Sequence, residues 1–178
     1  MSLPAEIHAR GGATSGEILR SLAPSTEGHT VGAVFAGAND LLTGVPTDDF
    51  AANLSDLLDH LAGRSERLLT FTLPPRTGAF RLRGRAERVR EINESIRRVA
   101  DKHGAVVADL SGIHGPLLVS GDGVHLTAYG EREVAARAAV ALGVEVPSRE
   151  RRPDVALVRR YLRTRARLLA AAPVRLVR

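Results

Sequence analysis

Apolar residues occur along this chain in two rhythms. Three runs are continuous: Thr30-Val31-Gly32-Ala33-Val34-Phe35-Ala36, Leu68-Leu69-Thr70-Phe71-Thr72-Leu73 and Ala105-Val106-Val107-Ala108-Asp109. Runs this short and this apolar predict parallel strands buried on both faces. Between them the spacing changes to three and four. Phe50, Leu54, Leu57, Leu58 and Leu61 mark a helix that starts after Pro46 with Thr47 or Asp48 as its cap, and Val89, Ile92, Ile96 and Val99 mark another over residues 85–103, closed by Gly104. A third runs over residues 128–142 behind Thr127 as a cap. The chain opens on Ala5-Glu6-Ile7-His8-Ala9, short enough and apolar enough for a strand. A Gly11-Gly12 turn follows, then a helix through Glu17, Ile18, Leu19 and Leu22, capped by Thr14 or Ser15. Strands alternating with helices predict an α/β domain with a mostly parallel sheet wrapped on both faces.

Composition narrows the function. At 178 residues the chain is one domain and a tail, read as a domain over residues 1–147 and a basic helical tail over 148–178. There is no cysteine, which excludes disulfides, thiolate metal sites and a cysteine nucleophile. Aromatics are 3% with no Trp, which argues against a stacking platform for single-stranded nucleic acid. The six histidines, His8, His29, His60, His103, His114 and His125, show no metal-ligand spacing, so neither metal nor cofactor is expected. The net charge of +5 is misleading. Residues 148–178 hold ten Arg against Glu150 and Asp154, a local +8 that leaves −3 for the rest. The Arg-rich tail therefore carries the high pI, and a helix packed on the domain with solvated arginines is the favoured reading over nucleic-acid or membrane contact. No apolar run reaches the roughly 18 residues of a membrane span or makes a signal peptide, so a cytoplasmic location is expected. Nothing in the sequence speaks to oligomeric state.

Candidate chemistry lies at three places. Asp122 and His125 stand three apart on a loop over residues 119–127. A carboxylate there can hold one imidazole nitrogen while the other faces a nucleophile; the plain alternative is a solvated loop ahead of a helix. Gly11 and Gly12 let a ligand approach the backbone, or form an ordinary strand-to-helix loop. Gly37-Ala38-Asn39-Asp40 follows the Val31 strand at its carboxyl end, where open α/β sheets bind ligands. The Asn39 amide can donate to an oxyanion while Asp40, with Gly37, holds a supporting turn; the plain alternative is an Asn-Asp turn.

Taken together and in this order, Gly12 in Gly-Gly-Ala-Thr-Ser, Gly37-Ala-Asn39-Asp40, and Asp122-Gly-Val-His125-Leu about 80 residues later resemble the SGNH (GDSL-type) hydrolases, over residues 7–142. The resemblance implies a three-layer α/β/α flavodoxin-like fold and hydrolysis of a small-molecule carboxylic ester by a serine nucleophile, without metal or cofactor. It implies His125 as base, Asp122 as its orienter, and the Gly12 N–H and Asn39 side chain as oxyanion donors, each worth roughly 3 kcal/mol of barrier.

The family's Gly-Asp-Ser block, which supplies the nucleophile at the end of the first strand, is absent, and no nucleophile is assigned. Ser2 is separated from Gly12 by nine residues, too few for a crossover of a dozen or more between parallel strands. Ser15, Ser111 and Ser120 read as cap or loop residues. If the family sheet order 2-1-3-4-5 applies, the missing first strand lies between the Ile7 and Val31 strands. A start placed too far downstream, or a truncated chain, is the expected cause. A pseudoenzyme that pairs its second strand with its third, and a fragment whose first strand comes from another chain, are the other two readings. The chain as given is expected to have negligible activity. Its rivals are a non-catalytic ligand- or partner-binding module and an adaptor built on the tail. The loops over residues 41–48 and 76–83 are expected to set substrate choice.

Overall fold

Each continuous apolar run becomes a strand of one sheet: β1 (His29–Val34), β2 (Ser65–Phe71) and β3 (Val106–Ala108), in the order β1-β2-β3. The computed structural model describes residues 5–22, 28–75, 85–115, 118–120 and 125–145, together with Arg159, Leu162, Arg163, Thr164 and Arg167. The remaining helices are α1 (Ser15–Ser21), α2 (Ala38–Thr43), α3 (Thr47–Ala62), α4 (Arg85–Lys102) and α5 (Ala128–Ala141). β1 and β2 are parallel, with Val31 opposite Arg67 and Ala33 opposite Leu69. This pairing requires the crossover that α2 and α3 provide. The chain divides into two compact units, Met1–Leu73 with Glu87–Val107, and Pro74–Ala86 with Ala108–Arg178.

The first unit holds the core. Phe50, Leu54, Leu57 and Leu58 of α3 and Ile92 and Ile96 of α4 are buried with Val34 and Leu68 of the sheet. Burying each such side chain is worth about 1.5–3 kcal/mol, which is why the helices follow the apolar stripes read from the sequence. Buried Asn93 sits beside the α4 stripe and clamps the end of β2. Its Oδ1 accepts from Leu73 N at 2.6 Å and its Nδ2 donates to Leu73 O at 3.0 Å. Gly104 closes α4 at φ 62°, the left-handed conformation expected of a C′ glycine.

In the second unit α5 begins behind Thr127, whose Oγ1 accepts from Gly130 N at 3.1 Å. Arg137 on α5 donates to Asp109 O at 2.6 Å and to Glu133 Oε1 at 3.1 Å, tying the chain after β3 to the helix. No helix among the described residues is long and apolar enough to cross a membrane.

Three local expectations are corrected. Residues 5–9 form no strand; a lone strand without a neighbour has no ladder to stabilise it, and Glu6 instead accepts from His8 Nε2 (2.6 Å) and His29 Nε2 (3.0 Å). The Gly37-Ala-Asn-Asp segment is no simple turn, because Asn39 and Asp40 stand in the first turn of α2 behind Gly37. α3 is preceded by Pro46 rather than capped by Thr47 or Asp48; both lie inside the helix, where proline's set φ leads the chain in. The expected domain boundary at 147/148, most of the basic tail and the loop over residues 76–83 lie outside the described residues.

Candidate active site

In the first unit two short helices, α1 and α2, start beside each other. Thr14 caps α1 in a capping box: its Oγ1 accepts from Glu17 N, and Glu17 Oε2 accepts from Thr14 N at 2.9 Å. These bonds hold the Glu17 carboxyl below its ordinary pKa, the backbone bond from Thr14 contributing most. Gly12, just before, has φ 80° with open space where a Cβ would stand, so glycine serves the backbone conformation there. Gly37 has φ 104°, and a Cβ on it would meet the Phe50 ring at 3.1 Å, so conformation and space both require glycine.

Asp40 joins the two starts. Fully buried, it accepts from Ser15 N through Oδ1 and Oδ2 (3.1 and 3.0 Å) and from Ser15 Oγ at 2.6 Å. Asn53 of α3 in turn donates to Ser15 Oγ at 3.1 Å. One position earlier, Asn39 Nδ2 donates to Ala13 O at 2.9 Å. An amide carries two N–H donors; with one engaged at Ala13 the other is held in a set direction next to the Gly12 turn. Gly12, Gly37, Asn39 and Asp40 are thus brought together, and Asp40 acts across the chain on Ser15 rather than within its own turn.

In the second unit, His125 lies on the segment before α5. His125 is exposed, and its carbonyl accepts from Ser120 N at 2.8 Å. Val119 and Leu126 form an antiparallel bridge, and Thr127 N donates to Leu118 O at 3.0 Å. The approach is close: a Cβ on Gly130 would stand 2.0 Å from Leu118 O. Asp122 lies outside the described residues.

Two of the serines set aside as nucleophiles are otherwise engaged. Ser15 is fully buried on Asp40, and Ser111 donates from N and Oγ to Asp109, each at 3.0 Å. Another Ser-His-Asp chain does occur. Ser55 Oγ lies 2.8 Å from His103 Nε2, and His103 Nδ1 lies 3.2 Å from Asp59 Oδ1. Ser55 stands mid-way along α3, where backbone N–H groups are engaged with carbonyls a turn earlier and no oxyanion donor is at hand. That chain is a clasp between α3 and the end of α4.

Sequence reading missed Ser15 as Asp40's partner, Asn53, and Gly130. Each is defined by a residue distant in sequence. Only Gly130 had a local signal, a glycine in the first turn of a predicted helix.

Comparison with known proteins follows the same lines. No curated protein sequence matches the chain. Among solved structures, an α/β hydrolase enzyme, LAE5, from the metagenome of Lake Arreo, Spain, is similar at 20% identity and TM-score 0.61, over 74% of this chain and 69% of that one. The lipase/acylhydrolase from Enterococcus faecalis is similar at 21% identity and TM-score 0.60, over 78% and 75%. A catalytic mutant of Axe2, an acetylxylan esterase from Geobacillus stearothermophilus, is similar at 17% identity and TM-score 0.55, over 67% and 63%. These likenesses establish the α/β fold. The family model for GDSL-like lipase/acylhydrolase proteins matches residues 2–133. With the Gly12, Asn39-Asp40 and His125 segments all inside that span, the chain belongs to the GDSL-like lipase/acylhydrolase family.

Proposed function

We propose that the protein is built on the machinery of a carboxylic-ester hydrolase acting on a small-molecule ester. In this reading the Gly12 N–H and the second Asn39 N–H receive the oxyanion, His125 serves as base and Asp122 orients it. The observation that carries the reading is the locked amide of Asn39, held by Ala13 O beside the left-handed Gly12 turn, with Asp40 securing both from beneath. Preorganised donors of this kind stabilise charge that develops during acyl transfer.

The chain offers no Gly-Asp-Ser nucleophile, so the protein as given would turn over esters at a rate several orders of magnitude below a complete triad. Release of p-nitrophenol from p-nitrophenyl butyrate tests this. The expected rate is close to that of free imidazole, falling to the buffer rate in His125→Ala. Rapid turnover that survives His125→Ala would remove the reading. A second reading, a binder that keeps the oxyanion donors for an ester or carboxylate, is favoured by one observation: Ser15 and Ser111 are both engaged by aspartates. It predicts saturable binding of butyrate that Asn39→Ala abolishes. The domain division at residue 147, a cytoplasmic location and a packed Arg-rich tail belong to the same proposal and rest on sequence.

A further inference from the structure

Arg88 lies in the first turn of α4, one turn before Ile92 and on the same face of the helix. Two contacts fix the level of that helix against the sheet. A Cβ on Gly37, just past the end of β1, would stand 3.4 Å from Ile92 Cγ2, and Asn93 is bonded to Leu73, just past the end of β2. Arg88 is therefore about 5.4 Å further out than the strand ends, and side chains lean toward a helix N-terminus, so it reaches further still. It stands over the carboxyl edge of the sheet, where α/β folds take their ligands, in the same unit as Gly12 and Asn39.

Its guanidinium is incompletely used. Nη2 donates to Val45 O, one residue past Gly44, the C-cap of α2. Nε is buried and has no hydrogen-bond partner. Among the described residues no carboxylate pairs with Arg88; Glu87, its neighbour in sequence, lies 3.1 Å from Arg90 instead. Holding the end of α2 accounts for one N–H and leaves a half-buried positive charge with a donor to spare. Such a group is costly until an acceptor meets it, and a carboxylate meets a guanidinium with two parallel bonds.

Val45 sets the distance to the oxyanion donors. Its N donates to Asp40 O at 3.0 Å, which places it a turn above Asp40, and Asn39 is the residue before Asp40. From Asn39 to Val45 the chain rises at most about 9 Å at ~1.5 Å per residue. We propose that Arg88 is a specificity-determining residue that holds a carboxylate carried by the substrate, on a short chain whose ester carbonyl sits on Asn39 and Gly12. This role rests on the ester-hydrolase reading and names its substrate class, esters with a terminal carboxylate. A phosphate would bring a second negative charge, and Arg90 is not placed to meet it, being two positions along the helix and engaged by Glu87.

The test is a titration of the protein with four esters, read by NMR at the Arg88 Nε–H and at the Asn39 side-chain amide. Monomethyl adipate and methyl hexanoate differ only in whether the acyl chain ends in a carboxylate or a methyl group; ω-acetoxypentanoate and pentyl acetate make the same comparison on the alcohol side. One of the two carboxylate esters is expected to move both signals and to bind about tenfold tighter than its neutral match, the worth of a hydrogen bond to a charged group. Arg88→Gln, which keeps a donor for Val45 O, is expected to remove that preference and leave the affinity for the neutral ester unchanged. Should this variant not fold, the Nε–H signal of the unaltered protein decides alone. Equal affinity within both pairs, a preference that persists in Arg88→Gln, or a silent Arg88 Nε–H overturns the role, while a shifted Asn39 amide in the same titration would leave the ester reading standing. A carboxylate ester that moves the Arg88 signal alone would show an anion site apart from the oxyanion donors, overturning the ester reading and with it the specificity role.

Discussion

Asp40 is the residue on which the paired starts of α1 and α2 depend. Its carboxylate takes the Ser15 N–H and hydroxyl in a buried position, and the same helix turn sets Asn39 on Ala13 O. Asp40→Ala would leave two buried donors without an acceptor, at about 1–3 kcal/mol for each group. A fall of that order in urea-denaturation stability, with a smaller one for Asp40→Asn, is expected; equal losses would mean that charge, not shape, is what Ser15 needs. The two glycines of the site differ in kind. Gly12→Ala meets only the left-handed backbone penalty of about 1–2 kcal/mol. Gly37→Ala adds a clash with the Phe50 ring in the core. Urea midpoints should therefore rank Gly37→Ala well below Gly12→Ala, and a reversed order would show that the Phe50 ring yields freely.

Among the elements, α5 governs where His125 stands. Its cap Thr127 and its close-packed Gly130 both contact Leu118, whose neighbour Val119 bridges to Leu126. Thr127→Ala should cost about 1 kcal/mol, as loss of an N-cap does. Gly130→Ala should cost more, since a methyl group cannot stand 2.0 Å from a carbonyl oxygen. Amide exchange at Val119 and Thr127 measures this directly: it should quicken in both variants and more in Gly130→Ala. The Ser55-His103-Asp59 clasp is an element-scale device too. Ser55→Ala should lower stability by about 1 kcal/mol and leave any reaction with p-nitrophenyl butyrate unaltered.

For the molecule as a whole, pH acts through groups whose folded pKa is depressed. His60 is lowered first by burial and then by the Arg64 charge. A group of this kind contributes stability that is fully present above its unfolded pKa, about 6.5 for imidazole, and is lost as pH falls below it. Glu17 is lowered by its capping bonds, so its contribution fades further down, as pH falls below the ordinary carboxylate range. Thermal unfolding should show stability declining from pH 7 to 5, with a shallower decline in His60→Gln. Much of this molecule was legible in local pattern. The three apolar runs became three strands, the stripes on α3 and α4 became the core, and Thr14 with Glu17 at the spacing of a capping box started α1. These features are set by residues within a turn or two of one another, and short-range sterics and burial decide them. The opening segment was read as a strand and is not one, because a strand exists only where another lends it a ladder. The sequence by itself determined the α/β alternation, the caps of α1 and α5 and the residue types of the candidate site. Only the tertiary structure decided that Asp40 reaches back 25 positions to Ser15, that Asn93 clamps Leu73 and that the three strands lie in the order β1-β2-β3. Such partners are chosen by the path of the chain through space, and that path follows from the sum of packing rather than from any local pattern.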